Sequence, residues 1–346
     1  MLFKFERQKL TIGELKSGKI NQNILSDLES RVVKFIISWL AGQKEFAMPT
    51  SGSTGTPKET HLSREALQYS ARQSMEYIDP TGSYQTTLLC INPDYIGGLM
   101  VVIRALTHDL DVSMVAPTSR LADVLGKECY DLVSMVPMQV QYLLDHHPDT
   151  LSQFKTILIG GAPLPHEYIV KLKSLKVVRC FQTYGMTETA SHIALKNLTD
   201  GDDSFEVLGD AEIQQDNRGC LKVKGSVTDH QWIQTNDVVE LTDPRHFRWL
   251  GRADFAINSG GVKVHPEILE ASLSSQLKMP FFVAGLPDAS LGQRVVMIVE
   301  SPEPVTLDFS HISQYSRPKE VYYSPGFSYT PSGKVNRAET LKKLNL

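Results

Sequence analysis

Nine consecutive residues, Thr50-Ser51-Gly52-Ser53-Thr54-Gly55-Thr56-Pro57-Lys58, combine five hydroxyls, two glycines and a lysine. Glycine lets the backbone come close to a ligand, and successive N–H groups form a nest for an anion. The chemistry that suits this segment is gripping a polyphosphate. It is not the G-x-x-x-x-G-K-[ST] nucleotide loop, because Pro57 precedes Lys58 and Glu59 follows it. Further along, Tyr184-Gly185-Met186-Thr187-Glu188 follows the apolar run Val177–Phe181. A loop at the carboxyl end of a parallel strand is where open α/β sheets hold ligands, and Thr187 and Glu188 would offer a hydroxyl and a carboxylate to phosphate and Mg2+. An exposed Thr-Glu pair at a helix start explains the same residues. Arg104 is the lone charge between Asp94 and His108 in an apolar, helix-spaced segment. A buried arginine requires an anion, which is either a ligand or a structural partner such as Asp94 or Asp109.

These residues need elements to position them. Apolar residues recur at helical spacing from Ile24 to Leu40, and Ser63 is placed to cap a helix whose inner face is Leu67, Ala71, Met75 and Ile78. Thr87–Ile91, Val112–Val115, Leu132–Val136, Thr156–Ile159 and Val177–Phe181 read as buried strands. Helical patterns at Leu99–Leu106, Met138–His146 and Glu167–Leu175 fall between several of them. That alternation predicts a mostly parallel sheet flanked by helices, an α/β fold. Residues 205–250 read as short strands with turns. From Gly251 onward a helix at Pro266–Leu277, strands at Phe281–Leu286 and Val295–Glu300 and a closing helix at Ala338–Leu344 suggest a small α+β domain. The expected division is 1–250 and 251–346.

The chain has 346 residues, 41% of them hydrophobic and 21% charged, with a net charge of −4. That balance argues against a strongly basic nucleic-acid binder or a polybasic membrane binder. Four scattered cysteines without a C-x-x-C pair fit neither a zinc site nor a disulfide scaffold. No apolar run reaches the ~18 residues of a membrane span. A cytoplasmic enzyme is the expectation.

Thr50–Lys58, Gly160-Gly161-Ala162-Pro163, Tyr184–Glu188, Thr235-Asn236-Asp237, Gly251-Arg252-Ala253-Asp254, Ser259-Gly260-Gly261 and Pro331-Ser332-Gly333-Lys334 occur in that order. In this the chain resembles the adenylate-forming enzymes: acyl-CoA synthetases, peptide-synthetase adenylation domains and luciferases. Within them it is most similar to the o-succinylbenzoate–CoA ligases of menaquinone biosynthesis, in a short form. That similarity rests on the chain's compact length, on Val136-Pro137-Met138-Gln139-Val140 and on the six-residue step from Gly98 to Arg104. Two departures stand out. The stretch before the Ser/Thr/Gly loop is shorter than in family chains, so part of the large domain is expected to be missing. Tyr95 stands where many members carry the histidine of an F-H-x-x-G segment.

The resemblance implies two steps, a carboxylate attacking the α-phosphate of MgATP and a CoA thiol then displacing AMP. It implies that Lys334 bridges the reacting oxygens, with Thr187 and Glu188 at phosphate and metal. It places ATP or AMP against Thr50, Ser51, Gly52, Ser53, Thr54, Gly55, Lys58, Gly160, Gly161, Ala162, Pro163, Tyr184, Gly185, Asp237 and Arg252, with Asp237 accepting the ribose hydroxyls. Asp254 becomes the pivot of a mobile small domain. Ser259, Gly260, Gly261 and Lys263 would line the CoA path, although Lys263 also reads as a solvated strand lysine. Arg104, Tyr95 and Gly98 fall to the acyl substrate. Two other functions remain open: adenylation of another acid or delivery to a carrier-protein thiol, and a non-catalytic nucleotide sensor.

Overall fold

In the computed structural model, the described residues are all but 51–57, 177, 202, 278 and 330–334. Among them thirteen strands form one mixed sheet. Six run parallel side by side: Arg179–Met186, Phe154–Ile159, Tyr130–Met135, Thr86–Leu89, Asp111–Met114 and Leu2–Lys4. Each predicted strand of the alternating region lies in this set, and helices Ile96–His108, Pro137–His146 and His166–Leu175 supply the crossovers that parallel pairing requires.

The core explains why those strands read as unbroken apolar runs. Leu89, Leu132, Leu158 and Phe181 point to one face, where they meet Val101, Val102 and Ala105 and helix Asp27–Leu40 through Val33 and Ile36. Their chain neighbours Leu88, Val133, Ile157 and Cys180 point to the other face, against Val140, Leu143 and Leu172. A strand covered on both faces has no polar side to display.

Beyond Met186 the sheet turns antiparallel, through Ser191–Asn197, Phe205–Val207, His246–Arg252, Ile233–Asp243, Cys220–Lys224 and Glu212–Gln215. A second sheet holds Val262–Val264, Ile257–Ser259, Gly292–Glu300, Phe281–Asp288 and Glu320–Ser324, with helices Pro266–Leu273 and Arg337–Lys343. Only the short turn Ala253–Phe255 separates the last strand of the first sheet from the first strand of the second. No helix among the described residues is long and apolar enough to cross a membrane.

Local signals account for most element ends. The Ser63 hydroxyl accepts the Ala66 N–H at 3.0 Å and starts helix Arg64–Ile78, as its position in the sequence implies. One placement differs. The Ser/Thr/Gly segment does not simply join two helices. Glu45–Thr50 and Lys58–Ser63, the stretches on either side of it, are strands that pair antiparallel.

Candidate active site

The site is built at the carboxyl ends of the parallel strands, beginning with Ile159. Immediately after it, the Gly160 N–H donates to the Met135 carbonyl at 3.0 Å. A Cβ on Gly160 would press on Thr183 Oγ1 at 2.7 Å, and Gly161 takes φ +89°. Ala162 and Pro163 complete this turn, one strand away from Tyr184 and Gly185.

The next strand ends in a tight reversal. Thr187–Thr189 form a single 3-10 turn, and Ala190 and Ser191 adopt left-handed φ values of 48° and 90°. Thr189 Oγ1 accepts the Met186 N–H at 3.1 Å and donates to the Ser191 carbonyl at 2.7 Å. A side chain at Gly185 would overlap the backbone of Ser191 and His192. Thr187 and Glu188 therefore sit on a short turn between antiparallel strands rather than at a helix start. The Glu45–Ser63 hairpin packs against this turn, bringing the Ser/Thr/Gly segment's strands to Thr187 and Glu188. Ser51, Gly52, Ser53, Thr54 and Gly55 lie outside the described residues, as does Lys334, and the Thr50 and Lys58 side chains are not described either.

Asp237 is held from two sides. Tyr184 Oη donates to its Oδ2 at 2.8 Å and Trp249 Nε1 to its Oδ1 at 3.2 Å. The Asp237 N–H donates to Thr235 Oγ1 at 3.0 Å, and that hydroxyl donates to the Leu221 carbonyl at 2.8 Å. Burial and the adjacent Asp237 carboxylate raise the Tyr184 phenol well above its ordinary value, so it stays a donor. Its ring packs against the stacked pair Phe247 and Phe205, with centroids 5.0 and 5.7 Å away. Trp249 escaped the sequence reading. The strand pairing of Val239 with Trp249 is what brings it beside Asp237, and it becomes visible only once the hairpin register is known.

Arg252 is the register partner of Asp237, and its Nη2 donates to Asp254 Oδ2 at 2.6 Å. Asp254 also accepts from Asn236 Nδ2 at 3.5 Å. Across the following turn, Ser259 is buried and Gly260 and Gly261, at φ 58° and 82°, close a two-residue hairpin. Lys263 is solvent-exposed.

The residues expected at the acyl substrate lie on helix Ile96–His108 or, for Tyr95, just before it. Tyr95 is exposed at its start, and a Cβ on Gly98 would overlap the Asn92 carbonyl, so the close approach of the preceding loop to the helix requires glycine at 98. Arg104 is 3% exposed, and Nη2 donates to Ser134 Oγ at 3.2 Å. Nε and Nη1 are buried without a partner. Neither sequence-nominated acid is available to it: Asp94 takes Arg31 at 2.8 and 3.0 Å, and Asp109 lies 3.4 Å from the N-terminal amine. Burial pulls the guanidinium down to about 10. Burial, with the Arg104 charge, holds His192 at about 3, so that ring is neutral; its Nε2 lies 2.7 Å from Ser74 Oγ.

Gln139, read only as part of a family segment, ties the site's floor together. Its Oε1 accepts the Val136 N–H at 3.1 Å, and Nε2 donates to the Cys90 and Thr118 carbonyls, both at 2.9 Å. Replacing it with leucine strands polar groups in the core, and a destabilisation of about 3 kcal/mol is expected. The urea midpoint measures this; an unchanged midpoint would show that the three bonds carry no net stability.

No group of three or more histidine, cysteine, aspartate or glutamate side chains suited to a metal exists among the described residues. One half-buried carboxylate, Glu188, beside the Thr187 hydroxyl matches what Mg2+ asks of a protein when substrate phosphates supply most of the ligands.

Residues 45–211 match the AMP-binding enzyme family. An acyl-CoA synthetase (AMP-forming)/AMP-acid ligase II-like protein from Dyadobacter fermentans is 34% identical, with a TM-score of 0.64 over 94% of this chain and 97% of that one. The chain belongs to this AMP-binding, acyl-CoA synthetase family. A probable 2-succinylbenzoate–CoA ligase from Mycobacterium tuberculosis is 28% identical over 323 residues, covering 85% of this chain and 83% of its own. The Bacillus subtilis o-succinylbenzoate CoA synthetase, solved with ATP and magnesium, shares the fold at a TM-score of 0.75 and 22% identity, over 85% of this chain and 69% of that one.

Proposed function

We propose that the chain is an AMP-forming acid–CoA ligase converting o-succinylbenzoate, ATP and CoA into o-succinylbenzoyl-CoA, AMP and pyrophosphate, a step of menaquinone biosynthesis. The observation that carries the substrate is Arg104, a buried cation whose Nε and Nη1 have no partner and which has no carboxylate beside it among the described residues. A guanidinium fork suits a carboxylate. The ring carboxylate of o-succinylbenzoate meets it, and the succinyl carboxylate is left to react.

In the first step that carboxylate oxygen bonds to the α-phosphorus and pyrophosphate leaves. In the second, the thiol sulfur bonds to the acyl carbon and AMP leaves. Asp237 receives the ribose hydroxyls, Arg252 faces ribose or phosphate, and Gly160–Pro163 with Tyr184 flank the adenine. The Ser/Thr/Gly segment, Thr187 and Glu188 serve the phosphates. Mg2+ supplies charge neutralisation at those phosphates when bound. The backbone at Ser259–Gly261 lines the CoA path. The division falls between residues 250 and 251, with Asp254 in the connecting turn as pivot.

The test is ATP–pyrophosphate exchange across a panel of carboxylic acids, followed by CoA-dependent product formation. Exchange best supported by a different acid, or transfer to a carrier thiol in preference to CoA, would overturn the substrate assignment. Nucleotide binding without exchange would overturn the enzyme itself. Arg104→Ala is expected to raise KM for o-succinylbenzoate about tenfold or more, the scale of one lost charge-assisted contact. A keto acid lacking the ring carboxylate should react equally poorly with both proteins. If both substrates are affected alike, Arg104 is structural.

A further inference from the structure

Glu267 has no assigned part in the site, yet it reaches into it from the other sheet. It lies in the first turn of helix Pro266–Leu273, which packs on strand His246–Arg252. Its Oε1 accepts the Arg252 N–H at 3.2 Å. Its Oε2 is buried without a hydrogen-bond partner and faces Gly251, where any Cβ would collide with it. Gly251, at φ +142°, is thus doubly required: for its backbone conformation and for the room it leaves the carboxylate.

One turn along the helix, Glu270 lies on the same face as Glu267. It accepts Arg337 Nη2 at 2.8 Å and the Val283 N–H at 2.7 Å, both within the second sheet's unit. Two acids three residues apart therefore fasten one helix to both sheets. Arg252 is fixed at its backbone by Glu267 and at Nη2 by Asp254, while its Nε is buried without a partner.

We propose that Glu267 is a positioning residue for Arg252, holding its backbone from across the junction of the two sheets and so setting the direction in which the guanidinium meets the nucleotide. Burial raises the Glu267 carboxyl, opposed by Arg337 and Arg252, consistent with a group kept dry by this packing. The proposal rests on the reading of Arg252 as a nucleotide-site residue.

A double-mutant cycle in the full chain tests it, with KM for ATP in pyrophosphate exchange as the readout. Glu267→Ala is expected to raise that KM about fivefold or more, the scale of a lost hydrogen bond to a charged group, with kcat changed less than about twofold. In an Arg252→Ala background the same substitution should add almost nothing. Glu267→Gln retains an acceptor for the Arg252 N–H and should restore much of the loss. A lower urea midpoint with KM unchanged would overturn the proposal, as would an undiminished Glu267→Ala effect in the Arg252→Ala background. Should Arg252→Ala itself leave KM for ATP unaltered, the reading of Arg252 falls and the proposal with it. An Arg252→Ala effect beside a KM indifferent to Glu267 removes the proposal alone.

Discussion

With Lys334 replaced by alanine, o-succinylbenzoate-dependent pyrophosphate exchange is expected to fall about 10²-fold or more, while supplied acyl-adenylate is still converted to thioester. The adenylation step brings a carboxylate against an α-phosphate, so its barrier is largely the repulsion of two anions. A compact ammonium at the reacting oxygens relieves that repulsion, and removing such a contact costs about 3 kcal/mol of transition-state stabilisation. The second step, attack of a thiol on an activated acyl group, is expected not to need it. Separate assays of the two half-reactions provide the check. Equal loss in both would count against a lysine that serves one arrangement of the two sheets.

Asp254→Pro should produce the opposite pattern, with adenylation retained and thioester formation reduced about tenfold or more. Asp254 sits in the turn Ala253–Phe255, the only link along the chain between the two sheets. Proline fixes φ there and restricts the residue before it, stiffening the segment proposed to pivot. The substitution also deletes the carboxylate that accepts from Arg252 and Asn236. Asp254→Ala separates the two effects, because it loses the same contacts and keeps a free φ. If proline and alanine behave alike, the carboxylate matters and the pivot does not.

The parallel half of the sheet was legible because burial on both faces writes itself as apolar runs of strand length, punctuated by helices. Leu132–Val136 and Thr156–Ile159 differ from the observed strands by a residue or two. The Glu45–Ser63 hairpin was not legible: its strands, EFAMPT and KETHLS, mix polar and apolar residues and flank a segment whose composition reads as loop. Strands Leu2–Lys4 and Lys9–Thr11 are too short to set up a period, although Phe3 and Leu10 are buried. Around the candidate site, the sequence nominated motif-bearing positions but not the residues that support them. Gln139, Trp249 and Glu267 make contacts fixed by register and packing, which leave no spacing signature. For Arg104, the sequence posed the question of its partner. The structure answered half of it by showing Asp94 and Asp109 engaged elsewhere.

The pair of donors on Asp237 bears on the sugar it is proposed to receive. With Tyr184 and Trp249 each bound to a different oxygen, the carboxylate is braced against rotation before any nucleotide arrives. A carboxylate has about four lone-pair directions, so two remain for ribose hydroxyls. Each donor already present drains some negative charge from those oxygens, and affinity per hydroxyl is correspondingly modest. What the arrangement gains is stereochemical: an acceptor that does not swing to follow its ligand selects for the pucker that presents both hydroxyls at once. If Asp237 holds the ribose as proposed, a nucleoside whose ring is locked in another pucker is expected to be turned away even with every hydroxyl in place.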